Sequence, residues 1–288
     1  MQAADSLTHA MVGRVRVVAR EKDLALGIRL AESVDHPFAW PGLGRRAPPP
    51  FTLILAADSA TMSRIASGRA PGWGAGITLP SARTIVLRSD LGGLDQTLRH
   101  EVAHLALHDA VPGRVPLWFD EGYASLASGE FERLITLQLN LSVVGGRLPS
   151  LRELDSDLRG SARTADAAYG LAASAVAEIA RHPAPGGLER LFSRMAAGDD
   201  FEQSLIAATG LTSDRFEKSW QADLRRRYGL IAWLLAGGIW AVVASVLGVL
   251  VWLRRRSDRP RRLALDQGWE IAPPDPPPPP VDPVEPSQ

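Results

Sequence analysis

The spacing of apolar and polar positions changes character three times along this chain. Between residues 12 and 90, the stretches VGRVRVVA, FTLILAA, GITLP and TIVLRS have the composition and alternation of strands. Helical spacing from about Asp23 to Val34, and a shorter piece near Met62, lie between them. The turn Ser81-Ala82-Arg83 joins GITLP and TIVLRS as a hairpin, and the proline and glycine cluster from Pro41 to Pro50 predicts a loop. From Leu94 onward the period is helical, with helices expected over about 94–109, 117–128, 131–141, 166–182, 186–197, 200–209 and 213–227. From Leu230 to Leu253 the chain carries no charge for 24 residues, which as a helix spans roughly 36 Å.

These patterns predict an α+β fold. A lobe with a small mixed sheet occupies residues 1–93, a mostly helical lobe 94–229, a transmembrane helix 230–253, and a basic then proline-rich disordered tail 254–288. Arg runs bracket the apolar stretch, and Trp233 and Trp252 sit near its ends, where amphipathic rings favour the bilayer interface. Gly237, Ala241 and Ser245 lie four apart, a spacing that suits close approach of a second copy of the helix, hence a homodimer. The run Arg254, Arg255, Arg256, Arg259, Arg261 and Arg262 is denser than the basic residues ahead of the span, which places the tail in the cytoplasm and residues 1–229 outside it. The first twenty residues show no apolar leader to export such a domain. Either a leader lies outside this sequence, or the domain is cytosolic and the span is a carboxy-terminal anchor. The ending IAPPDPPPPPVDPVEPSQ reads as an extended tail able to offer a polyproline ligand to a partner.

Composition narrows the chemistry. Lys plus Arg and Asp plus Glu number 32 each, so the chain lacks the uncompensated cations that nucleic-acid binding draws on. Cysteine is absent, which excludes disulfides, thiolate metal sites and a Cys nucleophile. Any metal must be held by His and carboxylates.

The segment LDQTLRHEVAHLALHD supplies such residues. His100 and His104 are one helical turn apart on one face, and Glu101 projects beside them, placed to accept a proton rather than to ligate. His108 is excluded as a third ligand, because eight residues from His100 is about 12 Å along a helix axis, whereas zinc–nitrogen bonds are near 2.1 Å. It reads as a helix-end residue or a contact behind the ligands. The metzincin pattern also fails, since it requires Gly and His where this chain has Leu107 and Ala110. Beyond a short turn, Pro116 suits the start of a new helix, and Glu121 in its first turns is the expected third ligand, with Asp120 a competitor pointing about 100° away. Two imidazoles and one carboxylate leave a fourth position open for water, the arrangement of catalytic zinc, one ion per chain.

The order His100-Glu101-x-x-His104 followed by Trp118-Phe119-Asp120-Glu121-Gly122-Tyr123-Ala124 resembles the gluzincin zinc metallopeptidases, in particular small peptidase MA-like domains related to thermolysin and the aminopeptidases. The likeness covers roughly residues 50 to 228. It implies zinc on His100, His104 and Glu121, with Glu101 polarising the nucleophilic water and a peptide or protein as substrate. Where thermolysin-like enzymes carry an Asp four residues after the ligand Glu to orient a His, this chain has Ser125. The Gly-Ala-Met-Glu-Asn segment of aminopeptidases is missing. Related domains place a Tyr where Tyr169 stands, making it the expected helper of the oxyanion, while Tyr123 is expected to pack. An extended substrate is expected to pair with the strand near Gly76 to Leu79.

Three functions compete on this reading. The first is a membrane-anchored zinc metallopeptidase. The second is a catalytically inactive, membrane-tethered binding module that retains the fold, and the third a structural anchor whose tail recruits partners. An intact Glu101 favours the first, because binding alone needs no general base.

Overall fold

The computed structural model describes residues 7–130, 148–183, 186–233 and 239–266. These divide into two units, residues 1–236 and 237–288. In the first, a five-stranded mixed sheet has the order β1-β2-β5-β7-β6. Its strands are β1 (Leu7–Val12), β2 (Val15–Arg20), β5 (Phe51–Ala56), β6 (Gly76–Leu79) and β7 (Thr84–Arg88). β2, β5 and β7 run parallel, whereas β1 and β6 pair antiparallel at the two edges. The parallel centre follows from composition: FTLILA on β5 is apolar at nearly every position, so it suits a strand covered on both faces. Helix α1 (Glu21–Val34) crosses from β2 toward β5, and α2 (Ser59–Ile65) links β5 to β6.

The hairpin expected from GITLP and TIVLRS forms, with Thr78 opposite Ile85 and Arg83 in the left-handed conformation at the turn. Two segments differ from expectation. Leu7–Val12 adds an edge strand whose outward Leu7 and Met11 hide the usual inward-apolar signature. Within the expected loop, Gly44–Arg46 (β4) pairs with Phe38–Trp40 (β3), and the Trp40 indole donates to the Arg46 carbonyl.

The helical part comprises α3 (Leu94–Ala110), α4 (Leu117–Ser128), α5 (Leu151–Leu158), α6 (Ala162–Ala180), α7 (Gly187–Ala196), α8 (Phe201–Thr209) and α9 (Ser213–Trp233). α5 escaped the periodicity reading, although Ser150 and Glu153 form a reciprocal capping box at its start. The helix expected over 131–141 lies outside the described residues.

Two apolar cores meet at α3 and α4. Leu98, Val102, Leu105 and Ala106 of α3 pack with the sheet and α1, whereas Trp118, Phe119 and Tyr123 of α4 pack with α6 through α9. The helices that carry the sequence motif are therefore the seam of the fold. Gly122 makes the close fit on the helical side: a Cβ there would stand 2.5 Å from the Ala172 carbonyl oxygen on α6. Near the start of α4, the amide of its second residue is satisfied by Asp155, whose carboxylate accepts from Trp118 N–H at 2.7 Å.

The second unit contains helix α10 (Ile239–Asp266), on which Trp240, Val246, Leu250 and Trp252 are exposed. This helix continues through the Arg254–Arg256 run to Asp266, although the sequence pattern placed the start of an unfolded tail at residue 254. Arginine is a good helix former, so a charged run need not end a helix. Of the expected span 230–253, residues 234–238 lie outside the described residues, and no helix among the described residues is long and apolar enough to cross a membrane.

Candidate metal centre

His100 and His104 project from consecutive turns of α3 toward Glu121 of α4. Their Nε2 atoms lie 3.4 and 3.5 Å from Glu121 Oε2 and 3.3 Å from each other. One ligand atom from each of the three residues lies within 4.8 Å of the others. The structure thus brings together the expected donors, and the competitor Asp120 faces elsewhere. Asp120 accepts from His104 Nδ1 at 2.6 Å with one oxygen and from His108 Nε2 at 2.8 Å with the other. The contact behind the ligands foreseen for His108 is this one.

The donor set fits a divalent zinc-like cation. An ionised carboxylate only accepts, so Glu130 at 3.1 Å from His100 Nδ1 and Asp120 on His104 Nδ1 both call for a proton on Nδ1. Each Nε2 lone pair is then free to bind a metal. Two nitrogens and one carboxylate oxygen form the three-ligand pattern of a catalytic zinc site.

The electrostatics of the metal-free cluster agree. Burial works against charging His100, but hydrogen bonds to Glu121 and Glu130 dominate and raise its pKa to about 9. His104 is also raised, burial opposing and the Asp120 and Glu121 charges prevailing. Burial likewise opposes ionisation of Glu121, yet the neighbouring imidazoles hold its carboxyl below the usual range. A concentrated negative charge has therefore been built around two imidazoles, and in the metal-free protein protons occupy part of the space where a cation would be held.

Glu101 is not one of the three clustered donors, and it lines the same cleft. It is 7% exposed, and the Thr78 hydroxyl on edge strand β6 lies 2.6 Å from its Oε2 and 2.9 Å from its own carbonyl oxygen. Burial is the main cause raising its pKa, with His104 and His100 opposing. A Cβ at Gly76 would stand 2.9 Å from Glu101 Oε1, so glycine there leaves room for the carboxylate. Tyr169 of α6 stands edge-on to His100, ring centroids 6.1 Å apart. Burial first, and then Glu121, Glu101 and Glu130, push its hydroxyl pKa up, so it remains a neutral donor. Tyr123 packs in the helical core and donates to the Pro41 carbonyl at 3.0 Å, as expected of a packing residue.

A cleft of about 640 Å³ opens onto these groups, bounded by β6, by the loop carrying Trp73 and by Tyr169. The sequence reading did not single out Thr78 for contact with Glu101, or Glu130. Neither belongs to a motif, and only the hairpin register and the turn after α4 bring them in.

A buried glutamate beside two imidazoles, completed by a carboxylate from the next helix, defines the class as an HExxH metallohydrolase. The Peptidase MA superfamily matches residues 45–226, and the chain belongs to that superfamily. It is a metallopeptidase, a hydrolase acting on peptide bonds. No curated protein sequence matches the chain.

Proposed function

We propose that this chain is a zinc-dependent, membrane-anchored peptidase acting on extended peptide segments, with Glu101 as general base. The convergence of His100, His104 and Glu121 with a separate buried glutamate carries the reading. Zinc held by those three residues would supply Lewis acidity to the scissile carbonyl and to the attacking water. Glu101 takes a proton from that water as its oxygen bonds to the carbonyl carbon, and passes the proton to the amide nitrogen as the C–N bond breaks. Thr78 steadies Glu101 through its hydroxyl. Tyr169 donates to the carbonyl oxygen as charge builds there. Edge strand β6 lines the cleft and among the described residues has β7 on one side only, so its outer backbone groups can pair with a substrate backbone without selecting side chains.

Anchoring through residues 230–253 is supported by their freedom from charge and by the exposed apolar side chains of α10. The Arg-rich flank that follows supports a cytoplasmic tail and an extracytoplasmic catalytic domain. Protease added to intact cells should digest residues 1–229 and spare the tail; the opposite pattern reverses the orientation.

The test of the catalytic reading is hydrolysis of an unstructured peptide mixture by the full-length chain. Chelation should abolish cleavage and one equivalent of zinc should restore it. Zinc-loaded, folded protein that leaves every peptide intact would favour the binding module.

A further inference from the structure

The two imidazoles are supported by carboxylates from different places, and one of them lies outside any helix. Asp120, adjacent to Glu121 on α4, serves His104. The residue one turn beyond Glu121 on the same face of α4 is Ser125. It is fully buried, and its hydroxyl oxygen has no hydrogen-bond partner among the described residues. No carboxylate is present at that position, yet His100 Nδ1 does not go without one: Glu130 Oε2 is 3.1 Å away.

The end of α4 explains how Glu130 gets there. Gly129 adopts φ +81°, open to glycine and strained for other residues. Its N–H donates to the Leu126 carbonyl at 3.3 Å, and Glu130 N–H donates to the Ser125 carbonyl at 3.1 Å. This pair of bonds is a Schellman turn, which reverses the chain over the last turn of the helix. The Glu130 backbone is thereby tied to Ser125, and its longer side chain reaches the imidazole from outside the helix. Glu130 borders the same cleft as Glu121.

We propose that Glu130 is the positioning residue of His100, fixing the proton on Nδ1 and the Nε2 lone pair toward the ion, with the Gly129 turn as the device that delivers it. The helix end after α4 is then part of the metal centre. A carboxylate behind a ligand imidazole typically contributes about 10- to 100-fold in metal affinity. This inference rests on reading His100, His104 and Glu121 as a zinc site.

The test uses the full-length chain and four variants: Glu130→Ala, Glu130→Gln, His100→Ala, and Glu189→Gln, a change at an exposed position of α7. Zinc affinity is measured by competition with a chelating dye, and the visible spectrum is recorded with cobalt(II) in place of zinc. Glu130→Ala should weaken zinc about 10- to 100-fold and alter the cobalt bands. Glu130→Gln, which keeps an acceptor oxygen without its charge, should fall between Glu130→Ala and wild type. Glu189→Gln should match wild type in both readouts. If Glu130→Ala does not fold, the near-isosteric Glu130→Gln decides. Zinc affinity within about twofold of wild type and unchanged cobalt bands in the folded Glu130 variants overturn the proposal, while the zinc site itself stands if His100→Ala has lost the metal. Wild type binding zinc no better than His100→Ala overturns both.

Discussion

Helices α3 and α4 lie side by side and contribute to one centre, yet they are built differently. Seven successive residues of α3, Glu101 to Leu107, are buried, because it is enclosed by the sheet on one side and α4 on the other. Its chemistry is compact: both imidazoles and Glu101 fall within five residues, and helical periodicity alone aligns them. α4 supplies one ligand, one supporting carboxylate and, just past its end, another, and its position depends on contacts with α6 and on Asp155. A reactive triplet can be written into one helix turn, whereas the groups that aim it must come from wherever the tertiary fold can bring them.

Glu101→Gln should have the largest effect on α3, lowering kcat about 100- to 10,000-fold while zinc stays bound, since the amide cannot take the proton. Peptide turnover measured beside metal content separates the two. On α4, Asp120→Ala should weaken zinc about 10- to 100-fold by leaving His104 and His108 without their shared carboxylate, as measured by chelator competition. If Asp120→Ala instead leaves zinc affinity intact and abolishes turnover, α4 takes part in the chemistry and the contrast fails.

Gly122→Ala should destabilise by about 1–3 kcal/mol, because the added methyl meets the Ala172 carbonyl. Denaturant unfolding of the metal-free protein checks this, and an unchanged midpoint would mean that α4 is not pressed against α6.

The mildest perturbation is pH, applied to the metal-free protein. The pKa of His100 is raised in the fold from 6.5 to about 9, so its stabilising contribution is present in full below 6.5 and lost as pH rises through about 9. Glu121 is shifted downward, and its contribution is present above its ordinary value of 4.5 and lost as pH falls below it. The melting temperature should therefore decline between pH 6.5 and 9. Zinc affinity should climb over the same interval, as ion and proton compete for the same nitrogen.

The contrast between the two helices also marks how far the sequence could be read. His100, Glu101, His104 and Glu121 were legible because a helical period and a short connection suffice to place them. The strands at the centre of the sheet were legible as runs of apolar residues, but their parallel pairing was not. Glu130 was not, because its contact with His100 depends on the left-handed turn at Gly129, and a Ser-Gly pair in sequence does not specify which way the chain folds back. Thr78 was visible as a strand residue, but its contact with Glu101 follows from the packing of β6 on α3. Helix α5 was missed although Ser150 and Glu153 announced it, since eight residues give too few turns for a period to emerge.

The centre stands or falls on Glu121, the one ligand that α3 does not provide. Zinc content after exhaustive dialysis of wild type and Glu121→Gln, read by elemental analysis, tests it most directly. The account predicts one zinc per wild-type chain and little in the variant; equal zinc in both would contradict it.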